Sequence, residues 1–140
     1  LVTAFVEIKD EAIQHCSRSL ISQTIQAILD PVRDQTVIMS FDYALALAAR
    51  EAQWPQVGVV LHRWEHLDNP LIRQARPDYI YADHKIIPAD FALETAQQLT
   101  NCKLVTYEVG DMLLAQQLLG RGVDMLETFE IALLLNDTTL

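Results

Sequence analysis

The chain has 140 residues, about half of them apolar and a fifth charged, which is the composition of one globular domain over residues 1–140. Its net charge is −9 and its ten Lys and Arg residues are scattered, which argues against nucleic acid or an anionic membrane surface as a partner. Two distant cysteines, Cys16 and Cys102, cannot form a disulfide framework and are typical of free thiols in a cytoplasmic protein. No apolar run approaches the roughly 20 residues of a membrane span, so we expect no membrane insertion.

Short β-branched or aromatic runs alternate with stretches of helical period along the chain. The predicted strands are Ala4–Lys9, Thr36–Phe41, Gln56–His62, Tyr79–Ala82, Lys103–Val109 and Asp124–Phe129. The predicted helices are Ser19–Leu29, one capped by Asp42 and running through Arg50, Phe91–Leu99 capped by Asp90, and Met112–Leu119 capped by Asp111. Because the chain begins inside an apolar, strand-like run, we expect further sequence upstream.

Strands separated by helices of 10–15 residues indicate βαβ units and a parallel sheet. Periodicity alone leaves open whether the sheet is doubly wound or closes into a barrel. No glycine-rich phosphate loop follows the first strand, as an open sheet would usually offer. Charged residues instead lie at the carboxyl ends of strands, where barrel enzymes carry their chemistry: Glu7, Lys9, Asp42, His62, Arg63 and Asp83. The pattern therefore favours a barrel.

The first strand carries a carboxylate and an ammonium group at alternate positions. Phe5, Glu7 and Lys9 share one face of the strand because strand side chains alternate. Two charges inside a parallel strand are costly unless they are paired or used. One interpretation is a buried ion pair between Glu7 and Lys9; the other makes Glu7 a ligand of a hard cation and Lys9 an anchor for a phosphate oxygen.

Six segments, in order and in register, carry a resemblance to a known family. They are Glu7-Ile8-Lys9, Val37-Ile38-Met39-Ser40-Phe41-Asp42, Gly58-Val59-Val60-Leu61, Tyr79 to Lys85, Leu104 to Asp111, and Leu119-Gly120-Arg121-Gly122-Val123-Asp124. With these segments the chain resembles the glycerophosphodiester phosphodiesterases from about Phe5 to about Phe129. In that family Glu-Ile-Lys ends the third strand of the barrel.

The resemblance implies an α/β fold, a parallel (β/α)₈ TIM barrel present here as strands three to eight, or about six βα units. It implies hydrolysis of glycerophosphodiesters to glycerol 3-phosphate and an alcohol with a divalent cation, Mg²⁺ or Ca²⁺. Carried over residue by residue, Glu7 is a metal ligand, Lys9 neutralises phosphate charge, and Tyr107 stands where an aromatic residue packs near the substrate glycerol.

The chain also departs from the family's pattern. Both catalytic histidines and two of three metal carboxylates belong to the first two strands, which this chain lacks, so we expect no catalytic residue here and no activity of the chain alone. Phe129 replaces an Asp after Thr128, and Gly110 replaces an Asn. Open strand edges predict self-association or pairing with the missing N-terminal segment.

Two alternatives to this hydrolase remain. One is a non-catalytic barrel for binding or assembly, in which Glu7 and Lys9 form a buried ion pair. The other is a different phosphate-handling barrel enzyme, for which only Arg121 and Gly122 in the late βα loops give a hint.

Structural roles are favoured for the histidines and the tryptophans. His62 and His66 have the spacing of a helical zinc pair, but His62 ends a predicted strand, so we expect a solvated loop. His84 is interpreted as a loop histidine, and His15 with Cys16 as adjacent residues that do not face each other. The two tryptophans are expected to be packing anchors: Trp54 and Trp64.

Overall fold

The structure of the chain, a computed structural model, describes residues 2–89 and 101–136. Six strands form one parallel sheet whose spatial order is their order in the chain. They are β1 Ala4–Ile8, β2 Thr36–Ser40, β3 Gln56–Val60, β4 Tyr79–Asp83, β5 Lys103–Tyr107 and β6 Met125–Leu126. A doubly wound sheet reverses its strand order at a switch point, and this sheet does not. Side chains of the two edge strands, β1 and β6, line one common trough, so the sheet curls into an incomplete TIM barrel, as predicted.

Five α-helices lie among the described residues, mostly as connections between successive strands. They are α1 Arg18–Leu29, α2 Tyr43–Glu51, α3 Pro70–Ala75, α4 Met112–Gly120 and α5 Ile131–Asn136, and short 3₁₀ helices span Asp10–Gln14, Asp30–Gln35 and Trp64–Asp68. Two of the three predicted aspartate caps are confirmed, because Asp42 accepts a hydrogen bond from the N–H of Leu45 and Asp111 accepts one from that of Leu114. The predicted cap Asp90 and helix Phe91–Leu99 lie outside the described residues.

The predicted boundaries differ from the observed ones mainly at the carboxyl ends of strands. Lys9, Phe41 and His62 were expected inside strands, but β1, β2 and β3 end at or before the preceding residue, where the backbone leaves the sheet for the βα loop. The last strand contains two residues instead of six because only Met125 and Leu126 pair with β5.

Alternation along the strands gives the sheet two faces. The outer face is packed under the helices and is largely apolar, with several side chains exposed by 1% or less: Ile38, Val57, Val59, Ile80 and Leu104. The lumen face holds a second, smaller cluster around Met39, Val60, Tyr81 and Val105, with Phe5, Tyr79, Tyr107 and Met125 partly buried against it. The lumen face is therefore the less completely covered side of the sheet.

Trp54 is a packing anchor, as predicted. Its ring is buried with the outer cluster, and its indole Nε1 donates a hydrogen bond of 3.0 Å to the carbonyl of Thr36. Trp64 is half-buried and packs against the same cluster. Both tryptophans thus belong to the layer between sheet and helices.

Both cysteines are free thiols, as the sequence indicated. Cys16 is exposed, whereas Cys102 is half-buried and burial raises the pKa of its thiol to about 12. No helix within residues 2–89 and 101–136 is long and apolar enough to cross a membrane.

Candidate functional site

A cavity of about 530 Å³ opens on the lumen face of the sheet. We call it the lumen trough and define it by the residues that line it: Phe5, Glu7, Met39, Tyr81, Val105, Met125, Leu126, Glu127, Thr128 and Ile131. Its two walls come from β1 and from the segment around β6, and its floor comes from the strands between them. The trough therefore exists only because the curl of the sheet brings the first and last strands toward each other.

Glu7 reaches the trough through the alternation of β1. Phe5 and Glu7 line the trough, whereas Ile8 is buried in the outer cluster. Glu7 pairs in register with Met39 of β2 and precedes the last residue of β1. The side chain therefore lies toward the carboxyl end of the strands, which is the end where barrel enzymes hold their catalytic groups.

Lys9 and Glu7 form an ion pair at the mouth of the trough. The Nζ atom of Lys9 lies 2.7 Å from Oε2 of Glu7, and this hydrogen bond raises the pKa of the lysine. The Lys9 side chain is 67% exposed and that of Glu7 is 22% exposed, so the ammonium remains in solvent while the carboxylate lies in the lumen. An exposed lysine of this kind can turn from the carboxylate to a phosphate oxygen at little cost.

The second carboxylate oxygen of Glu7 lacks a partner. Its Oε1 atom is buried and makes no hydrogen bond within the described part of the chain. A buried carboxylate oxygen without a donor is a good ligand for a hard cation, so Glu7 fits the divalent cation that the sequence resemblance implies. Among residues 2–89 and 101–136, no three His, Cys, Asp or Glu side chains form a group able to hold a metal, so these residues offer part of a coordination sphere.

Tyr107 ends β5 on the lumen face, beside the same carboxylates. Burial raises the pKa of its phenol, and the negative charges of Asp83, Glu7 and Glu127 raise it further. The phenol therefore keeps its proton near neutral pH and can donate a hydrogen bond. The three residues predicted for the site, Glu7, Lys9 and Tyr107, thus lie at one end of the lumen.

Sequence reasoning missed Glu127. This residue follows β6 directly and lines the trough with Met125, two positions earlier. Burial raises the pKa of its carboxyl group, and the charges of Glu108 and Glu7 raise it further, against the effect of Lys9. The signal that could have identified it is a carboxylate two residues after an apolar strand position, which is the pattern of Phe5 and Glu7.

The histidines lie outside the trough. His66 Nδ1 is 2.9 Å from the hydroxyl of Tyr43, and the rings of His62 and His66 are 6.3 Å apart. His66 belongs to the 3₁₀ helix Trp64–Asp68, so the two histidines do not share a turn of α-helix. The backbone N–H of His84 donates to the carbonyl of Tyr107, and His15 is exposed on the surface.

A larger cavity, of about 760 Å³, lies at the opposite end of the sheet. Residues just before β4 and β5 line it, among them Pro77, Asp78, Asn101 and Cys102. These are the amino ends of the strands, where barrel folds keep structural rather than catalytic residues. The smaller trough is therefore the candidate site.

Several solved structures share this fold. A protein assigned as a glycerophosphoryl diester phosphodiesterase from Silicibacter pomeroyi matches 90% of the chain with a TM-score of 0.71 at 17% identity. A glycerophosphodiester phosphodiesterase from Parabacteroides distasonis matches 90% with a TM-score of 0.67 at 12% identity. An Oleispira antarctica phosphodiesterase, solved with its product sn-glycerol-3-phosphate, matches 79% with a TM-score of 0.59 at 15% identity.

The chain has the fold of the glycerophosphodiester phosphodiesterases. The resemblance drawn from six sequence segments is confirmed at the level of the fold. The chain spans 46%, 52% and 47% of these three structures, or about half of each. No protein-family model matches the sequence, and no curated protein matches it.

Proposed function

We propose that this chain is about half of a metal-dependent glycerophosphodiester phosphodiesterase, which hydrolyses glycerophosphodiesters to glycerol 3-phosphate and an alcohol in the cytoplasm. The main support is the carboxylate of Glu7, which lies on the lumen face near the carboxyl ends of the strands in the fold of these phosphodiesterases. A neighbour with this fold was solved with sn-glycerol-3-phosphate, which supports a small phosphorylated polyol as the ligand class.

Each predicted residue has a role in this reaction. Glu7 would hold a divalent cation, Mg²⁺ or Ca²⁺, which when bound stabilises negative charge on the phosphoryl oxygens. Lys9, whose ammonium is exposed beside Glu7, would bind a phosphate oxygen. Tyr107 would contact the glycerol group with its ring and donate a hydrogen bond from its protonated phenol.

The reaction also needs proton transfers that the described residues do not supply. In hydrolysis, the oxygen of water bonds to phosphorus and gives up a proton, while the bond from phosphorus to the ester oxygen breaks and that oxygen takes up a proton to form the alcohol. A histidine with a pKa near neutrality suits this proton transfer, but none of the four histidines lines the trough. We therefore expect the 140-residue chain alone to be inactive and the protein with two further strands to be active.

Replacing Glu7 tests the proposal directly. In the protein with its native flanking sequence, Glu7→Gln should abolish metal-dependent release of glycerol 3-phosphate from glycerophosphodiesters, because the amide is a weak ligand for a hard cation. Glu11→Gln is the matched control, since it removes the same charge from an exposed residue in the 3₁₀ helix Asp10–Gln14. Unchanged turnover in Glu7→Gln would show that Glu7 is not part of the catalytic site.

A non-catalytic barrel is the second candidate function. The ion pair of 2.7 Å between Lys9 and Glu7 favours it, because the pair already satisfies one carboxylate oxygen without a cation. If the pair is structural only, Glu7→Gln and Lys9→Met should each lower the free energy of unfolding, and the protein should release no glycerol 3-phosphate. Metal-dependent product release by the unmodified protein would exclude this candidate.

We also propose that the open edges of β1 and β6 take part in association. In the described residues each of these strands pairs with one neighbour, so one row of backbone donors and acceptors remains available. The partner would be an N-terminal segment of the same protein or a second copy of the chain. Light scattering after size exclusion of the 140-residue chain tests this, and a monomer with cooperative melting would contradict it.

A further inference from the structure

We propose that Glu127 is a second carboxylate ligand of the cation that Glu7 holds, so that one divalent cation joins the two edge strands of the sheet across the lumen trough. This inference rests on the proposed function, because it takes the cation at Glu7 as given. It goes beyond the resemblance, whose Glu-Ile-Lys motif assigns a cation ligand to Glu7 and to no residue near β6.

The backbone of Glu127 is held firmly in place. Its N–H donates a hydrogen bond of 2.8 Å to the carbonyl of Thr106, and its carbonyl accepts one of 3.0 Å from the N–H of Val109. Both bonds extend the ladder between β5 and β6 by one residue, so the alternation continues and the side chain follows Met125 into the trough. Glu127 is therefore fixed on the wall opposite Glu7.

Two oxygen groups in the trough have no hydrogen-bond partner among the described residues. One is Oε1 of Glu7, which is buried without a hydrogen bond to any described residue. The other is the hydroxyl of Tyr81, whose side chain forms part of the trough floor and is only 3% exposed. No residue within 2–89 or 101–136 hydrogen-bonds this hydroxyl, although it lies near enough to Glu127 to respond to its charge. A buried carboxylate oxygen is nearly always satisfied, so a bound ligand accounts for Oε1 of Glu7, and the hydroxyl of Tyr81 is available to hydrogen-bond that ligand.

The charges around the trough favour a cation as that ligand. Glu7 and Glu127 line the same trough, and both Glu7 and Glu108 lie near enough for their charges to act on Glu127. Lys9 is the counter-charge that acts on both carboxylates, and its ammonium stays largely in solvent. Mg²⁺ typically binds through one or two carboxylates and completes its octahedron with waters and substrate phosphate oxygens. Two carboxylates on opposite walls, with Tyr81 on the floor to hold a bound water, provide this arrangement.

A direct measurement of cation binding can test this inference independently of the proposed function. Mn²⁺, used as a paramagnetic probe for Mg²⁺, is titrated into the protein with its native flanking sequence and followed by electron paramagnetic resonance. Loss of a partner even in the outer shell of a metal typically costs 10–100-fold in affinity, so Glu127→Gln should weaken Mn²⁺ binding at least tenfold. Glu127→Asp, which retains a carboxylate on a shorter stem, should bind with intermediate affinity.

The matched control is Glu108→Gln, which removes the same charge from a neighbour that is exposed, as Glu127 is, but does not line the trough. It should bind Mn²⁺ within about twofold of the unmodified protein, because a carboxylate outside the trough acts on the cation only through screened solvent and not as a ligand. If Glu108→Gln and Glu127→Gln weaken Mn²⁺ binding equally, Glu127 acts only through its charge and is not a ligand, which would overturn the inference.

The remaining outcomes distinguish the two proposals. If Glu7→Gln loses Mn²⁺ binding while Glu127→Gln binds normally, the inference fails and the proposed function stands. If Glu7→Gln binds as tightly as the unmodified protein, the cation is not in the trough and both fail. Circular dichroism of each variant shows whether it is folded, and Glu127→Asp keeps the test valid if Glu127→Gln does not fold.

Discussion

The outer face of the sheet is covered by the chain's own helices, whereas the lumen face is covered only along its middle strands. On the outer face, Ile38, Ile80 and Leu104 are each 1% exposed. On the lumen face, Val105 and Tyr81 are buried, but Phe5 and Met125 on the edge strands are only half-buried. Packing therefore determines the residues on the outer face, while the edges of the lumen face hold polar groups that packing does not require.

Two carboxylates at the carboxyl ends of strands illustrate the same difference. Asp42, after β2, accepts hydrogen bonds from the guanidinium of Arg18 and from the N–H of Leu45. Glu7, in β1, accepts one hydrogen bond from Lys9, and its other oxygen has no partner in the described residues. A satisfied carboxylate stabilises the fold, whereas an unsatisfied one in a lumen is available to a ligand.

The largest expected effect concerns how much each face of the sheet contributes to the free energy of unfolding. Leu104→Ala, on the outer face, should lower the free energy of unfolding by about 2–5 kcal/mol, because it leaves a cavity under the helices. Met125→Ala, on the lumen edge, should cost about 1 kcal/mol, since its side chain is only partly removed from water. Urea denaturation measures both values. Equal losses would show that the lumen edge is packed as tightly as the outer face.

A second prediction concerns the middle of the lumen face. Gly58→Ala would place a Cβ 2.9 Å from the Cβ of Met39, an atom that cannot move without the backbone of β2. The substitution should therefore lower the free energy of unfolding by about 1–3 kcal/mol. Gly110→Ala is the control, because nothing lies within 4 Å of its added Cβ. A neutral Gly58→Ala would mean that the floor of the trough adjusts easily, which would weaken the case for a preformed site.

The sequence predicted those elements whose signals are local. Helices α2 and α4 were predicted from an aspartate cap followed by apolar residues at helical spacing, and both caps are present. Helix α3 was not predicted, since six residues are too few to show a period, although Asn69 caps it and Pro70 begins it. The length of β6 depends on its pairing with β5, which no local pattern records.

The residues of the candidate site also differ in whether a local sequence signal predicts them. Glu7 and Lys9 were predicted because alternation in one strand places them on one face, and they form an ion pair. Glu127 was missed because its importance depends on the curl that brings the last strand opposite the first, more than a hundred residues away in the chain. Proximity between residues so far apart in the chain depends on the curl of the whole sheet and not on either segment.

The smallest expected effect tests whether Asp42 belongs to the outer layer. Asp42→Ala should lower the free energy of unfolding by about 0.5–2 kcal/mol, because α2 loses its cap. Asp42→Asn should cost less, since asparagine caps well and the pair with Arg18, which is 52% exposed, contributes little.

The dependence of this effect on pH follows from the pKa of Asp42. Burial raises that pKa, but the hydrogen bonds from Arg18 and Leu45 outweigh burial and lower it below its usual value. A lowered pKa in the folded state stabilises the protein above the unfolded pKa of about 3.9, and this contribution is lost as pH falls through the folded value. The difference in unfolding free energy between the unmodified protein and Asp42→Asn, measured by urea denaturation, should therefore shrink as the pH falls below about 4. A difference that is constant or grows toward acid pH would mean that the charge of Asp42 does not stabilise the fold, and the contrast with Glu7 would lose its basis.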